Sequence, residues 1–117
     1  MKKIAILFFF LILKTPVNAQ SISCQELFEG VTEYYDSRDN VTTIGSSMLA
    51  KVTRFTVDGD GFVIAYIKNN DYDFQGKPYI FCGISSQRWS RFKIEGMTGS
   101  WGESFNNYIR DYTCNCY

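Results

Sequence analysis

The first nineteen residues limit what this chain can fold into, because they have the order of a cleavable signal peptide. Positively charged Met1–Lys3 precedes an apolar run, Ile4–Leu13, and Val17–Ala19 supplies the small residues of a cleavage site. Removal of this segment after Ala19 shortens the 117-residue chain to 98 residues. A chain of that length has room for one domain, with a modest hydrophobic core.

The same segment predicts export, to the periplasm of a Gram-negative cell or to the extracellular space. Two alternatives stay open. The first is an uncleaved membrane anchor, although the apolar run is shorter than the roughly 20 residues that a spanning helix needs. The second is a lipoprotein signal acylated at Cys24, although Ser21 stands where such signals usually have a large apolar residue.

The cysteines agree with export. Their even number in a short exported chain predicts two disulfides, formed by Cys24, Cys82, Cys114 and Cys116. A bond between Cys114 and Cys116 would be strained and would close a very short loop, with little entropic gain. Cys24 and Cys82 are therefore each expected to bond one of the C-terminal cysteines. Of the two pairings that remain, we favour Cys82–Cys114 together with Cys24–Cys116.

The composition excludes several kinds of chemistry. The chain contains no histidine, which removes Ser–His and Cys–His catalysis and histidine-ligated metals. The spacing of Cys114 and Cys116 does not fit a zinc site. After signal removal the net charge is −3, which disfavours nucleic-acid binding by overall charge. We therefore expect no enzymatic activity, no cofactor and no metal.

The first half of the mature chain predicts one helix followed by strands. Ser23 and Glu26 have the spacing of a capping box, which begins a helix. Its apolar face recurs at helical spacing and comprises Leu27, Val31, Tyr34 and Tyr35. Residues 36–40 form a polar break that is expected to be a loop. A first strand follows, with a bulge expected near Thr53, and Asp58–Gly61 predicts the hairpin turn to a second, central strand.

The second half predicts a third strand and two helices. Pro78 suits the first residue of a strand, and Ser85 can cap a short helix. Ser100 and Glu103 form a second capping box, ahead of an amphipathic helix predicted over Trp101–Tyr112. The expected core comprises Val52, Phe55, Ile64, Phe81, Phe92, Phe105 and Ile109. The predicted fold is α+β, a three- to four-stranded antiparallel meander packed against the C-terminal helix, with the N-terminal helix nearby.

Basic residues on the short helix are a candidate binding surface. Arg88, Arg91 and Lys93 are interleaved with Trp89 and Phe92. Basic and aromatic side chains together can bind single-stranded nucleic acid. The same pattern is also typical of a solvated helix face above two core residues.

Residues 46–110 resemble the KTSC domain, a small bacterial module named for its occurrence at the C-terminus of some lysyl-tRNA synthetases. Ser46 and Ser47 open the matching region, and the segment Phe62–Ile67 corresponds to an alternating strand of the family. An aromatic-x-aromatic motif follows, and the closing Ser-x-Gly-x-x-Phe-Asn-x-x-Ile-Arg is the most specific piece. The motif residues are Tyr79, Phe81, Gly83, Ser100, Gly102, Phe105, Asn106, Ile109 and Arg110.

Together with the signal peptide (residues 1–19) and the N-terminal helix with its connecting loop (20–45), the resemblance predicts a third part, a KTSC-like domain with a cysteine-containing tail (46–117). It implies no established activity for this chain, and RNA binding is the function suggested for the family. The acidic composition and the predicted export favour a different function. We expect a small binding module of the cell envelope whose partner is a protein or another envelope component, with RNA binding as the alternative.

Overall fold

The structure is a computed structural model that describes residues 22–117, so the predicted signal peptide lies outside the described residues. The elements in chain order are α1 (Cys24–Tyr34), β1 (Ser37–Thr42), β2 (Leu49–Val57), β3 (Asp60–Ile67), β4 (Lys77–Cys82), α2 (Ser86–Thr98) and α3 (Trp101–Tyr108). The strands form one antiparallel sheet in the order β1-β2-β3-β4. The predicted α+β meander is confirmed, with four strands.

Polar β1 is the element that the sequence did not predict. The expected loop at residues 36–40 is wrong, because Ser37–Thr42 pairs with β2 along its whole length, from Ser37 opposite Thr56 to Thr42 opposite Lys51. β1 is the outermost strand, and its residues are almost all exposed. An edge strand needs few apolar side chains, and charged side chains there discourage unwanted pairing. The sheet therefore continues across the domain boundary expected at residue 46.

The β2–β3 hairpin turns at Asp58 and Gly59, as predicted. Both have positive φ values, 51° and 88°. This is the backbone of a type I′ turn, which matches the twist of the flanking strands. The bulge expected near Thr53 is wrong, because the register shift lies between Leu49 and Lys51. Successive strand residues point to opposite faces, and here each face has its own core.

The sheet separates two hydrophobic cores, and all seven predicted core residues are buried. α2 and α3 cover one face, where Val52, Phe81, Phe92, Phe105 and Ile109 lie in the larger core. α1 covers part of the other face, where Val31 packs with Phe55 and Ile64. The N-terminal helix thus lies across the sheet from the C-terminal helices.

Local capping starts each helix where the sequence predicted. Both capping-box hydrogen bonds between Ser23 and Glu26 are formed at α1, and Ser85 caps α2. The expected end of the last helix at Tyr112 is wrong, because α3 ends at Tyr108. The chain leaves the helix there and reaches the sheet edge, where the Tyr112 carbonyl accepts a hydrogen bond from the Cys82 N–H at 2.7 Å.

Two disulfides fix the C-terminal tail, with the favoured pairing: Cys24–Cys116 and Cys82–Cys114. The tail also protects the edge of β4. The phenol oxygen of Tyr117 accepts the N–H of Ile80 at 2.7 Å, and Pro78 has no N–H to leave unpaired. This edge therefore offers little backbone to a second chain.

Candidate binding surfaces

The loop between β1 and β2 and the turn between α2 and α3 enclose a groove of about 380 Å³, here called the Ser/Gly groove. The two walls are distant in the chain and meet only in the folded protein. Small residues dominate the lining, which consists of Ile44, Gly45, Ser46, Ser47, Met48, Gly96, Met97, Gly99, Ser100, Trp101 and Gly102.

Ser46 holds the first wall in place. Its Oγ accepts hydrogen bonds from the N–H groups of Met48 at 3.1 Å and Leu49 at 2.9 Å. Its carbonyl oxygen accepts a hydrogen bond from Lys68 Nζ at 3.0 Å. Gly45 has a φ of +86°, a conformation that costs glycine little. The loop is therefore ordered by its own polar groups.

A glycine–tryptophan contact builds the second wall. A Cβ on Gly96 would lie 2.0 Å from Cε3 of Trp101, so only glycine allows the ring to pack there. Ser100 caps α3 by accepting the N–H of Glu103 at 3.2 Å. Gly102 has no comparable packing need, because a Cβ on this residue would have Ser100 Oγ as its nearest neighbour, at 3.8 Å.

Two exposed apolar side chains border the otherwise mostly polar Ser/Gly groove. Ile44 is 81% exposed and Met97 is 67% exposed, and they lie on opposite walls. Half-buried Met48 and Trp101 also line the groove. Single exposed apolar residues are common, but a concave surface bounded by several of them is typical of a protein contact.

The residues that carry the resemblance fall into a packed set and an exposed set. Phe81, Phe105 and Ile109 are buried in the larger core, and the Phe81 and Phe105 rings meet edge to face with centroids 5.4 Å apart. Half-buried Tyr79 packs against that core. Gly83 is exposed, and its structural role is a backbone φ of +72°, which favours glycine. These residues have a structural role that the fold itself explains.

The remaining motif residues lie at the surface. Ser100 and Gly102 line the Ser/Gly groove, beside Ser46. Asn106 and Arg110 share one face of the C-terminal segment, where Arg110 Nε donates to Asn106 Oδ1 at 2.6 Å. The first and last pieces of the resemblance are therefore brought together in the groove, although they are far apart in the sequence.

The basic group on α2 is largely engaged in contacts within the protein. Lys93 Nζ lies 2.6 Å from Asp39 Oδ2 on β1, and Trp89 Nε1 donates to the same oxygen at 2.7 Å. These hydrogen bonds lower the pKa of the Asp39 carboxyl below its ordinary value. The Arg88 guanidinium lies 4.4 Å from the centroid of the Tyr112 ring. Among residues 22–117, Arg91 forms neither an ion pair nor a cation–π contact.

A second surface, which the sequence did not indicate, lies on the α1 side of the sheet, where Thr32 of the helix forms one border of it. We call it the open sheet face and define it by Arg38, Asn40, Lys51, Thr53 and Tyr66. These residues line a cleft of about 170 Å³. Lys51 and Tyr66 also line an adjoining cleft of about 550 Å³, so the two form a continuous depression.

The loop between β3 and β4 borders that depression with exposed aromatic side chains. Phe74 is 78% exposed and Tyr72 is 85% exposed, and Phe74 lines the larger cleft. The Asp73 carboxylate accepts the N–H groups of Asn69 and Gly76 at 3.0 Å each. These two backbone hydrogen bonds lower the pKa of the Asp73 carboxyl, and the bond from Asn69 has the larger effect. The aromatic residues are thus presented by an internally bonded loop.

Within residues 22–117 no three His, Cys, Asp or Glu side chains are grouped so that they could hold a metal ion. No helix among these residues is both long and apolar enough to cross a membrane. No protein-family model, curated protein or solved structure matches the chain.

Proposed function

We propose that the protein is an exported, non-enzymatic member of the KTSC family that binds a partner protein of the cell envelope through the Ser/Gly groove. The observation that carries this proposal is the exposure of Ile44 and Met97 on facing walls of one groove. Burial of such side chains at an interface contributes roughly 25 cal/mol per Å² of apolar area. A partner is expected to insert an apolar side chain between them.

Three further features support the proposal. The two disulfides suit an oxidising compartment outside the cytosol. All four cysteines are bonded, and the sequence has no histidine, so the usual nucleophiles and bases are few. Three residues of the region that resembles KTSC domains, Ser46, Ser100 and Gly102, line the groove.

Capture from an envelope extract tests the proposal. The immobilised bait is the wild-type protein, Met97→Glu or Ile44→Glu, and the control is Tyr34→Glu. Tyr34 is 63% exposed on α1 and lies outside the groove. We expect one protein to be captured by wild type and by the control and lost with both groove variants. Equal capture by all four baits would contradict the proposal.

The RNA-binding alternative is tested beside it by a salt titration with single-stranded RNA. Micromolar binding that weakens steeply with salt, and that Arg88→Ala with Arg91→Ala abolishes, would replace the proposed function. The export step has its own test, the mass of the secreted protein. Cleavage as expected leaves Gln20 as the first residue, and a protein retained at full length would contradict it.

A further inference from the structure

The open sheet face has cationic hydrogen-bond donors, Arg38 and Lys51, that form no ion pair with a carboxylate among residues 22–117. Arg38 and Lys51 are exposed, and the one ion pair formed among residues 22–117 is that of Lys93 with Asp39. The Asn40 amide oxygen already accepts a hydrogen bond from Thr53 Oγ1 at 2.7 Å. The amide nitrogen of Asn40 is then the group left to bind a ligand, and it too is a donor.

Aromatic rings hold the two cations in place. Lys51 Nζ lies 5.0 Å from the centroid of the Tyr66 ring, and the Arg38 guanidinium lies 5.5 Å from that of Tyr35. A cation–π contact orients a cation without neutralising its charge. Both charges therefore stay able to bind an anion, in contrast to that of Lys93, which is paired with Asp39.

The sheet register sets the distance between the backbone positions of these two residues. Arg38 pairs with Phe55 and Lys51 pairs with Thr42, so four residues of strand separate the two positions. At about 3.4 Å per residue, that separation is about 14 Å. An extended peptide with acidic side chains four residues apart places both on one side at nearly the same spacing.

We propose that the open sheet face binds an extended, acidic peptide segment of a partner protein, with one carboxylate at Arg38, a second at Lys51 and the peptide backbone at Asn40. Exposed Phe74 borders the depression beyond Lys51 and supplies apolar contact area for the same segment. This surface is separate from the Ser/Gly groove, so either one can fail its test without the other.

Between Arg38 and Lys51 a peptide is favoured over single-stranded RNA, because the aromatic rings in that part of the face are already covered. The uncovered rings, Tyr72 and Phe74, lie in the loop beyond Lys51. RNA recognition stacks bases on exposed aromatic faces, but Lys51 lies over the Tyr66 ring and Arg38 lies over the Tyr35 ring. A base would have to displace these cations before it could stack. A carboxylate binds the cations where they are.

Fluorescence anisotropy with defined peptides tests this inference, on protein obtained by export of the full-length chain so that both disulfides form. The probe is a labelled peptide of about ten residues with two Glu four residues apart, which matches the strand spacing of Arg38 and Lys51. The comparison peptides carry Gln at both positions, or the two Glu side by side. We expect the first peptide to bind most tightly and its binding to weaken with salt.

Variants assign the binding to this face. Lys51→Gln and Arg38→Gln are each expected to weaken binding about threefold to tenfold, whereas Lys51→Arg retains it. Arg91→Gln removes an equal charge from α2, outside both clefts, and is expected to have no effect. Unchanged melting temperatures show that the variants are folded.

Three results would overturn the inference. The first is equal binding of the Glu and Gln peptides, or no binding of either. The second is an equal loss with Arg91→Gln. The third is a protein that binds labelled oligouridine but not the acidic peptide, with the oligouridine binding weakened by Lys51→Gln and Arg38→Gln. The ligand of this face would then be a nucleic acid.

Discussion

The Cys24–Cys116 disulfide joins the first helix to the tail, and replacing both residues by alanine tests how much this tether stabilises the fold. The bond spans 92 residues. With Cys82–Cys114 intact, the chain path through that second bond shortens the closed loop to roughly 60 residues. The entropy of closing such a loop predicts that the double variant loses about 4 kcal/mol of unfolding free energy.

Urea denaturation followed by circular dichroism measures this loss. A cross-linked unfolded chain is more compact, so the variant is also expected to expose more surface on unfolding and to show a larger m-value. Cys24→Ser with Cys116→Ser is the matched control, because a similar loss assigns the effect to the cross-link rather than to the alanine side chains. Thiol counting verifies that Cys82–Cys114 stays formed.

A loss below about 1 kcal/mol with an unchanged m-value would refute this reasoning, since loop entropy alone predicts several times more. It would mean that α1 and the tail are held by packing. The packing that would have to suffice is visible in the structure, where Val31 is buried against Phe55 and Ile64. Hydrogen exchange of the Ile80 amide, which is bonded to Tyr117, would then stay slow in the variant.

Other substitutions test local packing and charge. Gly96→Ala is expected to cost about 1–3 kcal/mol by urea denaturation, because its Cβ would overlap Trp101. Gly30→Ala, in open space on α1, is expected to stabilise by up to about 1 kcal/mol. Ser104→Ala removes the buried hydrogen bond from Ser104 Oγ to the Phe92 carbonyl and is expected to cost about 1 kcal/mol. The pKa of Asp39 is lower in the folded protein than its ordinary value of 3.8. Its ionised form therefore stabilises the fold at pH values above 3.8, and this stabilisation is lost as the pH falls through the pKa of the folded state. Between about pH 5 and pH 2, wild type is therefore expected to lose more stability than Asp39→Asn.

The sequence predicted best what is decided locally. Ser23, Ser85 and Ser100 each accept a backbone N–H three residues ahead, so the helix starts follow from residues that are neighbours in the chain. The turn at Asp58 and Gly59 is equally local. The disulfide pairing could be predicted for a different reason, because four cysteines allow only three pairings.

What the sequence did not predict depends on distant partners. β1 is a strand because β2 pairs with it, and its own residues, such as Arg38 and Asn40, give no strand signal. The last helix ends before Tyr112, whose carbonyl oxygen accepts a hydrogen bond from the Cys82 N–H at the edge of β4. Both candidate surfaces depend on such contacts. The Ser/Gly groove joins Ser46 to Ser100, and no pattern within either segment indicates the other.

The open sheet face follows from how many helices the chain provides. α2 and α3 together cover one face of the sheet, whereas α1 and the disulfide-bonded end of the tail cover part of the other. The eleven residues of α1 are about 16 Å long, whereas the nine residues of β2 are about 30 Å long. A single helix therefore leaves part of that face uncovered. The Cys24–Cys116 bond fixes α1 beside the tail, over Phe55 and Ile64, so the uncovered part is the one with Lys51. An apolar residue at that position would be exposed to water. The chain instead has Lys51, whose cation lies over the Tyr66 ring. A cation in this position is well solvated while no partner is bound, and its charge is still free to bind an acidic group.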